Sequence, residues 1–331
     1  MTSFDKRPIT KVIVIGAGFS GLAMACQLQR KLNCDDFTIY DRSPAPGGCA
    51  VDIPAVFYSL SFASNPNFSK VFPSQAEILD YFNNVAERFD VTRHVVPNTE
   101  WEGAYWQELT STWLVKLKDL STGQLYYQEC KILISAVGGL VNPNQFDVPG
   151  IDDFQGDIIH TARWKTDVSL HDKDVIVVGN GYDPITALLP RSIQTKSGRE
   201  YPADTIVLAT GFSLTQYDVE LVGRNGQTRA QHWNDFGYKE AYKSIAMSEF
   251  PNFFYVLGPN SGKGHTSTIY SIENYIDLIV QVIAPVIRDQ STFVEVKADS
   301  EKKYNETLHE AIGKTIFNNS CFSVSTHRVL V

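Results

Sequence analysis

The start of the chain alternates between short, continuously apolar runs and a longer segment that suits a helix. Residues 11–15 (KVIVI) form such a run, which is typical of a strand buried on both faces of a parallel sheet. Residues 22–32 are compatible with a helix, and residues 37–41 (FTIYD) supply a second strand that ends in an acid. The order strand, helix, strand predicts a βαβ unit, the building block of α/β folds.

Three glycines stand between the first predicted strand and the helix, in the order Gly16-Ala-Gly18-Phe19-Ser20-Gly21. Gly16 permits a tight turn, Gly18 lets the backbone approach a pyrophosphate, and Gly21 lets the helix pack closely on the strand. The helix N-terminus then offers free N–H groups and a partial positive charge to the phosphates. We therefore predict a dinucleotide site that includes Phe19 and Ser20 along with the glycines.

The acid at the end of the second predicted strand supports the same interpretation. Asp41 follows Gly21 by 20 residues, where a carboxylate can accept hydrogen bonds from an adenosine ribose and disfavours a 2′-phosphate. The alternative is that the glycines only mark a turn, but the strands, the helix and the acid around them favour the nucleotide site. The turn alone does not distinguish FAD from NAD.

Composition excludes several classes of protein. The 331 residues include 43% hydrophobic and 20% charged residues, as expected of a folded chain with room for two domains. A net charge of −8 and the absence of a Lys/Arg block argue against nucleic acid as a partner. The cysteines are odd in number and lack C-x-x-C spacing, so we expect no disulfide framework, no metal site and a reducing, cytoplasmic location. They are Cys26, Cys34, Cys49, Cys130 and Cys321.

The hydropathy pattern predicts no stable membrane insertion. The most apolar C-terminal run, residues 275–287, is shorter than the roughly 18 residues of a membrane span and contains Asp277 and Gln281. We expect residues 274–287 to form a helix that is apolar over most of its circumference. The N-terminal apolar run is only a strand long and leads into glycines, unlike a signal peptide.

Several segments resemble the FAD-binding half of class B flavin monooxygenases, in particular the Baeyer–Villiger monooxygenases. They are residues 47–62 (GGCAVDIPAVFYSLSF), 205–212 (TIVLATGF) and 258–267 (GPNSGKGHTS). The resemblance implies that FAD is the N-terminal ligand. The residues that it places near the flavin are Gly48, Asp52, Tyr58, Gly258, His265 and Thr266. Two alternatives stay open: Tyr58 as a core aromatic, and Asp52 as a turn or cap residue beside Pro54.

The most specific match is the family fingerprint F-x-G-x-x-x-H-x-x-x-W. Phe154, Gly156, His160 and Trp164 occupy all four of its fixed positions, and Lys165 follows where Pro or Asp is usual. The alternative is that the two aromatic residues belong to the core and that His160 is an ordinary hydrogen-bonded side chain. Four residues at fixed spacing favour the fingerprint.

The resemblance implies an α/β fold, with a Rossmann-like FAD-binding domain and a truncated second Rossmann-like domain for NADPH. Residues 1–155 would form the first part of the FAD-binding domain. Residues 156–204 would form a linker and the remnant of the NADPH-binding domain. Residues 205–331 would return to the FAD-binding domain and end in C-terminal helices.

The second phosphate turn is what indicates the truncation. Gly179 and Gly181 begin that turn after a predicted strand, but Pro184 takes the position of the third glycine. Only residues 179–191 separate this strand from a predicted hairpin at residues 192–201, whereas a βαβ unit needs about 30 residues. The sequence departs from the family in two more places, at a short run missing after Gly48 and at residues 322–331.

By resemblance, the chain is a FAD-dependent, NADPH-using monooxygenase that inserts oxygen from O₂ next to a ketone in a small organic substrate. The matched segments are similar in sequence to those of fungal members. That similarity implies that the substrate is a polyketide or terpenoid intermediate of secondary metabolism. The family's catalytic arginine falls in the missing stretch, so we assign no catalytic residue, and that loss argues against NADPH binding. Two alternatives stay open: a repurposed flavoprotein without NADPH-dependent activity, and an inactive FAD-binding remnant.

Overall fold

The computed structural model describes residues 6–48, 53–179, 183–213, 217–261 and 267–314. Internal contacts divide the chain into two compact units, one of residues 1–138 and 217–314, the other of residues 139–216 and 315–331. We call them the first and the second unit. The predicted domains, with boundaries at residues 155 and 204, are defined by their ligands and stay a prediction.

Strands and helices alternate through the first third of the chain, and strands dominate the middle. The strands are β1 (Lys6–Ile15), β2 (Phe37–Tyr40), β3 (Val95–Val96), β4 (Thr99–Gln107), β5 (Thr112–Asp119), β6 (Leu125–Ser135), β7 (Asp157–His160), β8 (Val175–Val178), β9 (Ile185–Leu189), β10 (Ser192–Thr195), β11 (Glu200–Pro202), β12 (Thr205–Leu208), β13 (Glu220–Val222) and β14 (Phe253–Tyr255). The α-helices are α1 (Phe19–Leu32), α2 (Gln75–Arg88), α3 (Arg229–Phe236), α4 (Thr268–Ile287) and α5 (Ala298–Gly313).

A mixed eight-stranded sheet organises the first unit, in the order β13-β4-β5-β6-β1-β2-β3 with β14 beside β6. β1 lies in parallel pairing with both β2 and β6. Val12 and Val14 are buried in one core cluster, and Ile13 and Ile15 are buried in the cluster on the opposite face. A strand buried on both faces is what the continuous apolar run predicts.

Helix α4 belongs to the core of the first unit. It begins at Thr268, six residues earlier than predicted, because Ser267 caps its N-terminus by accepting a hydrogen bond from the backbone N–H of Tyr270. The helix is long and apolar enough to cross a membrane by length and composition. Its stripe of Ile272, Ile276 and other apolar residues is nevertheless buried in the same cluster as α1.

The second unit is built around a small parallel sheet in the order β7-β12-β8. The predicted hairpin is confirmed as β10 and β11, with Gly198 at a positive φ in the turn. β9 pairs antiparallel with β10 and completes a separate three-stranded sheet, which the sequence did not indicate.

The described residues between β8 and β12 contain no helix of the kind that a complete second Rossmann unit has. Within the described residues of that stretch only β9, β10 and β11 occur. Val177 of β8 is 62% exposed, although helices normally cover both faces of a parallel sheet. The α/β class and the truncation of the second Rossmann-like domain are therefore confirmed.

Candidate cofactor site

The turn between β1 and α1 has a shape that only glycine can supply at two positions. Gly16 has a φ of +105°, and a Cβ there would lie 2.6 Å from the carbonyl oxygen of Ala136. A Cβ on Gly21 would lie 1.8 Å from the carbonyl oxygen of Gly16. The helix consequently approaches the strand as closely as the glycine pattern predicts.

The N-terminus of α1 is left open for an anion. Gly18 is its N-cap residue and provides no side-chain cap, and no acidic residue lies in the first turn. The loop around Gly47 closes over the same turn, since the N–H of Gly47 donates to the carbonyl oxygen of Ala17 at 3.2 Å. A Cβ on Gly18 would lie 3.2 Å from the carbonyl oxygen of Gly47. Backbone N–H groups of the first turn of α1, which no side chain caps, could therefore bind a phosphate here.

Asp41 fixes the turn from the end of β2. One carboxylate oxygen accepts a hydrogen bond from the N–H of Ala17 at 2.6 Å, and the other accepts from the N–H of Ser43 at 2.7 Å. A carboxylate has about four acceptor positions, so two remain for ribose hydroxyls. The structure thus adds a role in holding the backbone, while the predicted ribose contact stays a prediction.

An aromatic cluster backs the first residue of α1. The ring of Phe19 lies 4.1 Å from that of Phe82 and 5.9 Å from that of Tyr58, measured between centroids. Tyr58 is buried in the core, the geometry of the core-aromatic alternative, and its flavin contact stays a prediction. Ser20 is buried within α1. Gly48 adjoins the turn, since a Cβ there would lie 3.6 Å from the Cα of Gly18.

Tyr81, which the sequence did not indicate, fixes the segment that follows Tyr58 by hydrogen bonds. Its hydroxyl accepts from the N–H of Leu60 at 2.8 Å and donates to the carbonyl oxygen of Ala63 at 3.0 Å. The side chain is buried, and burial raises the pKa of Tyr81 to about 12. Only the apolar stripe of α2 could have indicated a buried residue here. The hydroxyl's partners, the N–H of Leu60 and the carbonyl oxygen of Ala63, come within reach only in the folded chain.

The C-terminal side of the predicted site is only partly described. Asp52, His265 and Thr266 lie outside the described residues. Gly258 is described, and a Cβ there would lie 2.4 Å from the carbonyl oxygen of Ser244.

The start of α4 is tied to the segment around Tyr58. The hydroxyl of Ser267 donates to the carbonyl oxygen of Phe57 at 2.8 Å. Glu273 accepts from both the N–H and the hydroxyl of Ser61, at 2.9 and 2.7 Å. The two segments that the resemblance assigns to the flavin are therefore joined by hydrogen bonds.

In the second unit, His160 of the fingerprint is the last residue of β7 and binds two backbone groups beyond it. Its Nδ1 accepts from the N–H of Ala162 at 3.1 Å, and its Nε2 lies 3.2 Å from the carbonyl oxygen of Gly211. Because a carbonyl can only accept, Nε2 carries the proton. Burial lowers the pKa of His160 below 6.5, so the ring is neutral at pH 7.

The other fingerprint residues have separate environments. A Cβ on Gly156 would lie 2.3 Å from the carbonyl oxygen of Asp204, so the chain passes this point too closely for a side chain. Phe154 packs against the core of the second unit, whereas Trp164 is 49% exposed. The fingerprint residues are thus not gathered around one point, and their predicted role stays a prediction.

The predicted NADP turn is described only up to Gly179, and Gly181 lies outside the described residues. No helix follows β8 before β12 in the described part of the second unit. A dinucleotide site of the Rossmann type needs the N-terminus of such a helix for the pyrophosphate. The described residues of the second unit therefore do not fit a second dinucleotide in that manner.

Fold and glycine turn together define a nucleotide-binding α/β protein of the Rossmann type. Residues 14–83 match the family profile described as NAD(P)-binding Rossmann-like domain. A closed crystal structure of cyclohexanone monooxygenase superposes with a TM-score of 0.82 at 20% identity. The superposition covers 93% of this chain and 90% of that chain. This likeness establishes the fold.

Among the curated relatives, a Baeyer–Villiger monooxygenase of Pseudomonas aeruginosa is 24% identical over 96% of this chain and 86% of its own length. The FAD-binding monooxygenase BOA2 of Botryotinia fuckeliana is 35% identical over 51% of this chain and 34% of its own length. The chain is thus a relative of the Baeyer–Villiger monooxygenases, and the resemblance seen in the sequence is confirmed. The first alignment extends over 459 residues while this chain has 331, so the relative contains more than a hundred residues without a counterpart here.

Proposed function

We propose that the chain is a FAD-dependent monooxygenase of the Baeyer–Villiger type, with NADPH as electron donor and O₂ as co-substrate. The observation that carries the proposal is the turn between β1 and α1, where Gly16 and Gly21 admit no side chain and Asp41 holds the backbone. The relatives named as monooxygenases support the reaction class.

The described residues fit the adenosine diphosphate half of FAD. The N-terminus of α1 behind Gly18 would take the pyrophosphate, and Asp41 has two acceptor positions left for the ribose. When bound, FAD supplies the redox chemistry of the reaction. The protein supplies binding and orientation: Tyr81 and Glu273 fix the segment between Tyr58 and Ala63, which the resemblance places at the flavin.

The proposed reaction joins one oxygen atom of O₂ to a small organic ketone and releases the other as water, with oxidation of one NADPH. The resemblance to fungal members implies a secondary-metabolite substrate such as a polyketide or terpenoid. We also propose that the protein acts in the cytoplasm. These finer assignments rest on the resemblance.

A second candidate function is a flavoprotein that binds FAD without responding to NADPH. The observation that favours it is the second unit, where β8 leads to β9 with no helix in the described residues and Val177 is exposed. Arg191 precedes the hairpin of β10 and β11 and Arg199 lies within its turn, and both side chains are exposed.

The experiment that separates the candidates is an absorbance titration of the purified 331-residue chain with NADPH in the absence of oxygen. Bleaching of bound flavin followed by reoxidation in air is the expected result for the monooxygenase. Bound flavin that is reduced by dithionite but not by NADPH would support the second candidate instead. A chain that is folded by circular dichroism and binds no FAD would overturn both.

A further inference from the structure

A cavity of about 510 Å³ lies in the first unit between the segment that leads into β13 and helix α3. Its volume is within the range of sites for small organic ligands. Aromatic side chains supply much of its wall: Tyr217, Trp233 and Tyr238. The cavity shares no residue with the predicted FAD site.

A buried cation lines this cavity. Arg229 is only 4% exposed, and its guanidinium lies 5.4 Å from the ring of Tyr217 and 5.2 Å from that of Trp233. The guanidinium donates to the carbonyl oxygens of Tyr217 and Val219 and, at 3.3 Å, to the hydroxyl of Tyr255. These partners are all neutral.

No carboxylate lies within 4 Å of Arg229 among the described residues. Those residues also provide no acceptor for its Nε–H. Burying a charge without an opposite charge is costly in folded proteins. The cavity beside it is where a counter-ion could enter.

The position of Arg229 on its helix adds to this imbalance. It is the first residue of α3, where the helix dipole is positive and a cation is unfavourable. Thr228 and Gln231 form a capping box and satisfy each other's N–H groups. The N–H of Ala230, which lines the cavity, has no acceptor in the described part of the chain.

We propose that this cavity binds a monocarboxylate with a flat apolar body. The carboxylate pairs with Arg229 and the N–H of Ala230, and the body packs against the aromatic walls. Asp218, Glu220 and Lys239 lie at the exposed rim and together carry one net negative charge, so a singly charged acid is favoured over a phosphate. This site is independent of the proposed monooxygenase activity.

The test measures binding of 2-naphthoate and of its neutral isostere 2-naphthamide to the purified chain by titration calorimetry. We expect naphthoate to bind at least tenfold more tightly, because only the acid can pair with Arg229. Equal affinity for the two compounds, or no binding of either at millimolar concentration, would overturn the proposal. Inorganic phosphate that binds as tightly as naphthoate would overturn the assigned ligand class.

Two variants and a control locate the site. Arg229→Met should remove the preference for the acid, whereas Arg88→Met, at an exposed cation at the end of α2, should preserve it. Tyr238→Ala changes a half-exposed wall residue, and it should weaken naphthoate binding several-fold even where Arg229→Met fails to fold. Unchanged binding in folded Tyr238→Ala, or a preference that persists in folded Arg229→Met, would show that the acid binds elsewhere.

Discussion

Replacing Glu240 with glutamine should make the first unit more stable above neutral pH and leave it nearly unchanged at pH 5. The Glu240 side chain is fully buried, and no hydrogen bond of normal geometry reaches either carboxylate oxygen within the described residues. His309 is the nearest cation candidate, with its Nε2 3.6 Å from a carboxylate oxygen. Burial lowers the pKa of His309, so it is neutral at pH 7 and gives no ion pair there.

Burial raises the pKa of Glu240 from 4.5 to about 7, and the carboxylate of Glu301 acts in the same direction. Asn305 and His232 act in the opposite direction. A raised pKa means that the folded state holds the proton more tightly than the unfolded chain. Stability is therefore highest below pH 4.5 and falls as the pH rises through 7. The difference corresponds to at most about 3 kcal/mol.

Glutamine has nearly the shape of a protonated glutamate and does not ionise. The Glu240→Gln variant should therefore keep the stability that the natural chain loses between pH 4.5 and 7. We expect it to be more stable than the natural chain by about 1–3 kcal/mol at pH 8.5.

The assay is urea unfolding at pH 5 and at pH 8.5, followed by tryptophan fluorescence. The indole of Trp233 donates to the carbonyl oxygen of Glu240, so one of the five tryptophans that give this signal lies at the site itself. Glu306→Gln, at an exposed position of α5, serves as the control and should change little at either pH. A Glu240→Gln variant that destabilises equally at both pH values would refute the reasoning.

Three other variants test the cofactor turn and the uncovered sheet. Gly21→Ala should abolish FAD binding and destabilise the first unit by about 1–3 kcal/mol, because its Cβ would meet the carbonyl of Gly16; equilibrium dialysis checks this, with Gly313→Ala as an unhindered control. Asp41→Asn should weaken FAD binding about tenfold, because a neutral amide replaces two charge-assisted bonds; fluorescence titration of FAD measures the change. Val177→Lys should reduce self-association in light scattering with less than about 0.5 kcal/mol change in stability, because the side chain is exposed.

The βαβ unit at the start of the chain was predictable because its signals are local. The apolar run at residues 11–15, the glycine turn and the helix-compatible segment all fall inside β1, the turn and α1. β1 begins earlier, at Lys6, because its first residues pair with β6 across a bulge between Arg7 and Thr10. Mixed polar residues can join a sheet edge by backbone pairing, which leaves no apolar pattern to read.

The features that the sequence did not reveal depend on contacts between distant segments. Tyr81 is fixed by backbone groups about 20 residues away, and Glu240 meets His309 of α5 about 70 residues further along the chain. Arg229 carries no sign of burial in the sequence, and only the fold places its guanidinium beside the rings of Tyr217 and Trp233. Burial of a charged side chain is a property of the tertiary structure, and a single sequence holds no periodic signal for it.

A sheet needs paired strands and also needs other elements to cover its faces, and these are separate requirements. The truncation therefore affects the two units differently. The sheet β7-β12-β8 keeps its parallel register without a crossover helix, since backbone hydrogen bonds alone fix that register. One face of this sheet is left uncovered, as the exposure of Val177 shows. In the first unit both faces of the sheet carry a buried core: α4 packs with α1 on one face, and Trp113 packs on Phe253 on the other. Under the second candidate function, FAD binding depends on the first unit and the NADPH response on the second, so we expect the former to persist without the latter.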